Sequence, residues 1–201
     1  MSAGGTGTGR LRTVAVLAIL AGGAVGIIGS TQTWLDVALR DGAQLSVVVP
    51  GASALTVLAP LSLAALALGL ALTIVGRALR YVFGFLALGL GIGLGTGSAR
   101  VALTTPVDAV MSTVTEATGI SGLGPVGDIV RTITATPWPA VTAAASLVIV
   151  AGGVLTLATA HRWPGSGRKY RQDGHTGASS SRPHDAIDSW DDLSRGADPT
   201  R

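Results

Sequence analysis

Residues 81–99 read YVFGFLALGLGIGLGTGSA, nineteen residues without one charge. At a helical rise of about 1.5 Å per residue the stretch reaches roughly 28 Å, close to the ~30 Å hydrocarbon thickness of a bilayer. Working outward from it, three more uncharged apolar stretches appear, at 13–29 (17 residues), 55–76 (22) and 138–160 (23). The chain is therefore read as an all-α membrane protein with four transmembrane helices. The 201 residues divide into an N-terminal tail (1–12), a four-helix domain (13–160) with loops at 30–54 and 100–137, and a C-terminal tail (161–201).

Composition supports this solvent. Charged residues make up 12% of the chain and apolar ones 48%, whereas a soluble domain carries about 25% charged residues. There is no cysteine, which excludes a disulfide framework, a thiolate zinc site and a cysteine nucleophile. A net charge of +3 invites a nucleic-acid reading, but the placement of the charges argues against it. Arg10 and Arg12 precede the first stretch, Arg77 and Arg80 separate the second from the third, and Arg162, Arg168, Lys169 and Arg171 follow the fourth. The other two loops hold only Arg40, Arg100 and Arg131, set against Asp36, Asp41, Asp108, Glu116 and Asp128. By the positive-inside rule both termini and the 76–80 turn face the cytoplasm, in a multi-pass protein of the cytoplasmic membrane.

The first stretch has the basic start and apolar core of a signal peptide. At 17 residues it exceeds an h-region, which runs to about 7–15. The residues that follow, Gly29, Ser30, Thr31, Gln32, Thr33 and Trp34, offer no A-x-A-like cleavage site. An uncleaved span is the expectation. Trp34, Tyr81, Trp138 and Trp163 all fall at span borders, where an amphipathic ring keeps its polar edge wet, and they are assigned as interfacial anchors. Pro60 sits in the first turns of the second helix, and Pro137 and Pro139 bracket the start of the fourth, places a helix accepts proline.

Glycine sets the packing. Gly89, Gly93 and Gly97 recur every four residues, with Gly91 and Gly95 on an adjoining line, and the first span carries Gly22 and Gly26. Small residues so spaced make a groove that admits a neighbouring helix, because lipid supplies no hydrophobic force between helices. Packing inside one bundle is the first reading, and a homo-oligomer seam stays open. None of the four stretches contains Asp, Glu, Lys, Arg or His. Ser62, Thr73, Thr142, Ser146 and Thr156 supply scattered hydroxyls, which bond back to the preceding turn. Proton relays, ion-coupled carriers and intramembrane proteases need ionisable groups at membrane depth. No catalytic, cofactor-binding or metal-binding residues are assigned, and no cofactor is expected. His161, beside Arg162, is read as interfacial; His175 and His184 give no metal-ligand spacing.

The loops show some order. Residues 45–49 form a β-prone run ended by Pro50 and Gly51, a strand and then a turn. Thr105 is placed to cap a helix with Pro106 at its first position and Asp108 at its third, and Val107, Val110, Met111 and Val114 follow as an apolar stripe. Such a helix lies on the bilayer surface or caps the bundle. Glycines between residues 119 and 127 mark a flexible break. After Tyr170 the chain turns polar and is expected to be disordered up to Pro183. Ile187, Trp190 and Leu193 then share one side of a short helix that Asp185 or Asp188 begins and Gly196 ends. This 185–200 segment is expected to dock, on the chain's own cytoplasmic face or on a protein partner.

The ending WDDLSRGADPT (190–200) carries Trp190, Leu193, Arg195 and Asp198 at the spacing W-x-x-L-x-R-G-x-D-P-T. It resembles the C-terminal signature of the actinobacterial Trp biosynthesis-associated membrane proteins. TQTW (31–34), APLSLAALAL (59–68) and the run from Arg162, Trp163 and Pro164 to Tyr170 resemble further segments of that family in order. The resemblance implies four helices and a genetic link to tryptophan biosynthesis, and it carries no catalytic residues over. Two functions follow as expectations. The first is a non-enzymatic accessory or scaffold protein acting through its tail and outer loops. The second is a facilitator or export component for tryptophan, indole or a related aromatic metabolite.

Overall fold

The computed structural model describes residues 5–40 and 46–162. The elements run α1 (Gly5–Thr31), β1 (Thr33–Leu39), β2 (Ser46–Pro50), α2 (Gly51–Ala54), α3 (Leu58–Ala71), α4 (Arg77–Thr104), α5 (Asp108–Thr118), α6 (Leu123–Ile129), β3 (Val130–Ala135) and α7 (Trp138–Thr159). A short 3-10 turn, Ala160–Arg162, closes the described chain. Among the described residues, three helical segments are long and apolar enough to cross a membrane: Gly9–Thr31, Ala78–Thr104 and Trp138–Thr159.

The second apolar stretch behaves differently from the other three. Its 22 residues become a 14-residue helix, Leu58–Ala71, about 21 Å long at the usual rise. The helix ends in a tightening turn, with the amides of Thr73 and Ile74 bonded to the carbonyls of Leu70 and Ala71 at 3.0 Å each. Helices α1 and α4 both outrun the stretches expected of them. Arg10 and Arg12 therefore ride on α1 rather than in a tail, and Arg80 and Arg100 lie on α4.

Four long elements pack as an antiparallel bundle: α1 against α3 and α7, α7 against α4, and α4 against α3. The running directions follow from paired contacts. Gly22 meets Ala145 and Ile149, whereas Gly152 meets Ile19 and Ala15; Gly23 meets Ser62 and Leu66, whereas Gly69 meets Leu20. The start of α1, the α3–α4 turn and the end of α7 thus share one end of the bundle, which brings Arg10, Arg12, Arg77, Arg80 and Arg162 together there; Arg168, Lys169 and Arg171 lie outside the described residues.

The opposite end overturns the all-helical expectation. Both loops contribute to a three-stranded antiparallel sheet of order β2-β1-β3. Strand β1 pairs with β2, for instance Val37 with Val47, and with β3, Val37 with Ile133. The β-prone run at 45–49 is one strand of it; the other two were not expected. A register shift between Thr33 and Leu35 interrupts the first pairing, and Trp34, Leu35 and Val37 are all buried. Strict alternation would send Trp34 and Leu35 to opposite faces, so the irregularity is what lets both enter the interior.

Two local expectations are also corrected. Thr105 does not open α5. It ends α4 in the left-handed region at φ 38°, and α5 begins at Asp108. Pro106 is the cause, since its ring disfavours the helical conformation at the preceding residue. The apolar stripe itself forms as expected. Val110 and Val114 are buried, Val107 and Met111 pack beside them, and α5 lies against β2 and α2.

One apolar core runs from the bundle into this end. It joins Leu58, Ala65, Leu94 and Ile149 of the helices to Trp34, Val37 and Val49 of the sheet and to Val110, Val114 and Val126 around it. A second cluster, Val16, Ile19, Leu68, Leu72 and Ala87, fills the arginine-bearing half.

Trp34 sits at the junction. Its ring is fully buried and its indole N–H donates to the carbonyl of Gly29, near the end of α1, at 2.8 Å. The expectation of an interfacial anchor with a wet polar edge is thereby corrected: the indole is satisfied by backbone. Its own carbonyl accepts from the Thr136 amide at 2.9 Å, tying β1 to the segment entering α7. Gly51 closes the pocket. A β-carbon there would stand 2.5 Å from the Gly29 carbonyl oxygen and 2.6 Å from the indole nitrogen. Trp34→Phe deletes the donor, and we expect a loss of about 1–3 kcal/mol; Gly51→Ala overfills the site at a cost of about 1–3 kcal/mol. Thermal unfolding in detergent micelles checks both, with lowered midpoints and unchanged helix content as the expected outcome.

Candidate functional site

The helix seams are where the sequence concentrates its small residues, and the structure sorts them into contacts and open face. Along α4, Gly84, Gly91 and Gly95 face α7. An added β-carbon would meet Leu157 at 2.6 Å, Val150 at 2.7 Å and the Ser146 hydroxyl at 2.6 Å. Along α1, Gly22 abuts Ile149 of α7 and Gly26 abuts the Ser62 hydroxyl of α3, so both expected packing positions are seams within the chain. Gly97 meets Leu55 at 3.0 Å. Gly89 and Gly93 have nothing within 4 Å. Their line faces away from the chain's own helices, and the adjoining line of Gly91 and Gly95 makes the intramolecular seam instead.

Several seams join a glycine to a hydroxyl. Ser62 lies over Gly26, Thr142 over Gly29 and Ser146 over Gly95. Ser146 and Thr156 bond back to the carbonyls of Ala143 and Gly152 at 2.6 and 2.8 Å. The oxygens of Ser62, Ser98 and Thr142 are buried with no hydrogen-bond partner in the structure. A β-carbon at Gly26 would stand 2.3 Å from the Ser62 oxygen, and one at Gly29 2.7 Å from the Thr142 oxygen. Only glycine permits the approach.

The arginine-bearing end is built around carbonyls of the turn that follows α3. The Arg12 guanidinium donates to the Thr73 carbonyl. Arg80, only 2% exposed, donates through Nε to the Val75 carbonyl at 3.2 Å. Cationic donors at a helix C-terminus satisfy orphan carbonyls and oppose the negative end of the helix dipole. At the other end Arg100 pairs with Asp108 at 3.1 Å across the α4–α5 connection. Both side chains are largely solvent-facing, so the pair adds little stability.

Of the remaining expected anchors, Tyr81 is exposed one turn into α4 and Trp138 packs against the main core from the first turn of α7. Trp163 and the tail residues Trp190, Leu193, Arg195 and Asp198 lie outside the described residues. The sheet residues missed from sequence had a partial signal. Four of the six β3 residues, Val130, Thr132, Ile133 and Thr134, are β-branched, the residue type strands favour.

Apolar helices sealed by glycine, with charges confined to the two ends, define an integral membrane protein of the helical-bundle class. Comparison with family models narrows this further. The chain belongs to the tryptophan-associated transmembrane protein family, whose model matches residues 16–200 and so takes in the 190–200 ending. Neither curated proteins nor solved structures give a match.

The two glycine lines of α4 predict opposite responses to a methyl group. Gly91→Ala forces the α4–α7 seam apart and is expected to cost about 1–3 kcal/mol. Gly89→Ala and Gly93→Ala add helix propensity on an open face, and we expect no loss and a gain of up to about 1 kcal/mol each. Denaturation of the three variants in one detergent compares them directly.

Proposed function

We propose that the protein is a non-enzymatic accessory protein of the cytoplasmic membrane, linked to tryptophan biosynthesis by holding partners rather than by converting substrate. In this reading all four apolar stretches cross the membrane, α3 with the turns beside it, and a short helix is accommodated by local thinning of the bilayer. Both termini face the cytoplasm, as the arginines at that end favour, and the sheet stands outside. The family's name supports the link to tryptophan.

The observation that carries the proposal is the core shared by bundle and sheet. It makes the sheet a fixed platform and leaves Arg131, Thr132 and Thr134 of β3 displayed to solvent. Within the bundle the buried polar groups of the described residues are hydroxyls, with Arg80 at the end engaged by the α3–α4 turn. Acid–base chemistry at membrane depth finds no obvious group there. The tail motif at Trp190 is the second docking element.

The absence of native cysteine allows a direct test. A membrane-impermeant maleimide is expected to label Thr132→Cys in intact cells and Ser189→Cys only after permeabilisation; the reverse pattern overturns the orientation. Crosslinked partners are expected to fall away when residues 185–201 are deleted, and an unchanged set overturns the role of the tail. Labelled-tryptophan efflux is expected to match wild type in a deletion strain, and a clear deficit would favour the export reading.

A further inference from the structure

Between the start of α1 and the turn after α3 lies a cavity of about 380 Å³, lined by Gly9, Arg12, Thr13, Val16, Leu17 and Thr73. The volume falls within the range of small-molecule sites, about 300–1,000 Å³. We propose that this groove holds an anionic phospholipid, with the headgroup phosphate at Arg12 and the first acyl carbons on Val16 and Leu17.

The lining is graded along the helix axis. Arg12, Thr13 and Thr73 form its polar end, and Val16 and Leu17 lie deeper on α1, about 6–7.5 Å beyond Arg12 along the axis. Arg12 is positioned by its bond to the Thr73 carbonyl, so the cation is held at the edge of the groove rather than swinging in solvent. Gly9 has nothing within 4 Å and leaves the mouth open. Arg10, exposed on the same helix, adds positive potential without lining the cavity.

The nature of the wall selects lipid over a free anion. Val16 and Leu17 belong to the segment Gly9–Thr31, long and apolar enough to cross a membrane; Leu17 is 58% exposed on its surface, and Val16, only 7% exposed, borders the groove from the second core cluster. A soluble phosphate would leave the exposed Leu17 side chain uncovered, whereas an acyl chain covers it. Basic pockets between transmembrane helices at the cytoplasmic side recognise anionic headgroups by the same division of labour.

Native mass spectrometry of the full chain, released from detergent after equal loading with phosphatidylglycerol or phosphatidylcholine, tests the proposal. Retained phosphatidylglycerol is expected to exceed phosphatidylcholine about fivefold, the effect of one well-placed arginine. Arg12→Gln should remove that preference and Arg10→Gln should keep most of it. Leu17→Trp, which fills the groove without altering charge, should lower retention of phosphatidylglycerol. Circular dichroism confirms that each variant is folded before it is scored. Equal retention of the two lipids by the wild type would overturn the site. So would equal losses from Arg10→Gln and Arg12→Gln, which indicate diffuse surface charge, or millimolar inorganic phosphate displacing the lipid completely, which indicates a headgroup-only anion site.

Discussion

The bond from the Trp34 indole to the Gly29 carbonyl is the constraint on which the rest of this structure depends. It joins the last turn of α1 to the first residues of the sheet, at a point where the chain leaves the apolar bundle. A helix end leaves carbonyls without partners, and a large aromatic ring with one polar edge answers both needs at once. The ring extends the core upward, and its N–H gives the Gly29 carbonyl a second and shorter bond, at 2.8 Å beside 3.3 Å from the Gln32 amide. Gly51 must then be small, because Gly29 and Trp34 already occupy the space its side chain would take. From this point β1 is aimed between β2 and β3, and strands of two separate loops become one layer, Leu35 pairing as far along the chain as Ala135.

Below that junction the bundle follows the physics of lipid. Apolar side chains gain little by leaving lipid for another helix, so cohesion comes from close approach. Gly22, Gly23 and Gly26 of α1 and Gly84, Gly91 and Gly95 of α4 provide it, each receiving an aliphatic group, a carbonyl or a hydroxyl from the opposing helix. Charge is confined to the ends, where Arg12 and Arg80 satisfy the exposed carbonyls that follow α3. The arginines thus do two things. They close a helix terminus, and they present positive potential to whatever surrounds that end of the bundle.

The bundle was legible in the sequence because composition and length report directly on solvent: a charge-free run of about twenty residues matches the thickness of a bilayer and little else. The family resemblance was legible too, in the ordered motifs from TQTW to the 190–200 ending, and the family match covers them. The sheet was not. Its central strand lacks clean alternation because the register shifts at Trp34, and its pairing with β3 is a long-range event that no local pattern announces. Trp34 misled for a related reason, since a tryptophan at a span border reads as an anchor whether its polar edge meets water or a buried carbonyl. The α4 glycines could be read as a packing element but not assigned to a face, because a repeat of one glycine in every two residues points in all directions. Only the partner helix decides between Gly91 and Gly89.

Hydrogen exchange on the protein in lipid nanodiscs tests the central claim that sheet and bundle are one cooperative unit joined at Trp34. The account predicts that the Trp34 indole proton and the amides of β1 and β3 exchange together, at rates close to those of the last two turns of α1. Sheet amides that exchange orders of magnitude faster than the end of α1, with a rapidly exchanging indole, would contradict it.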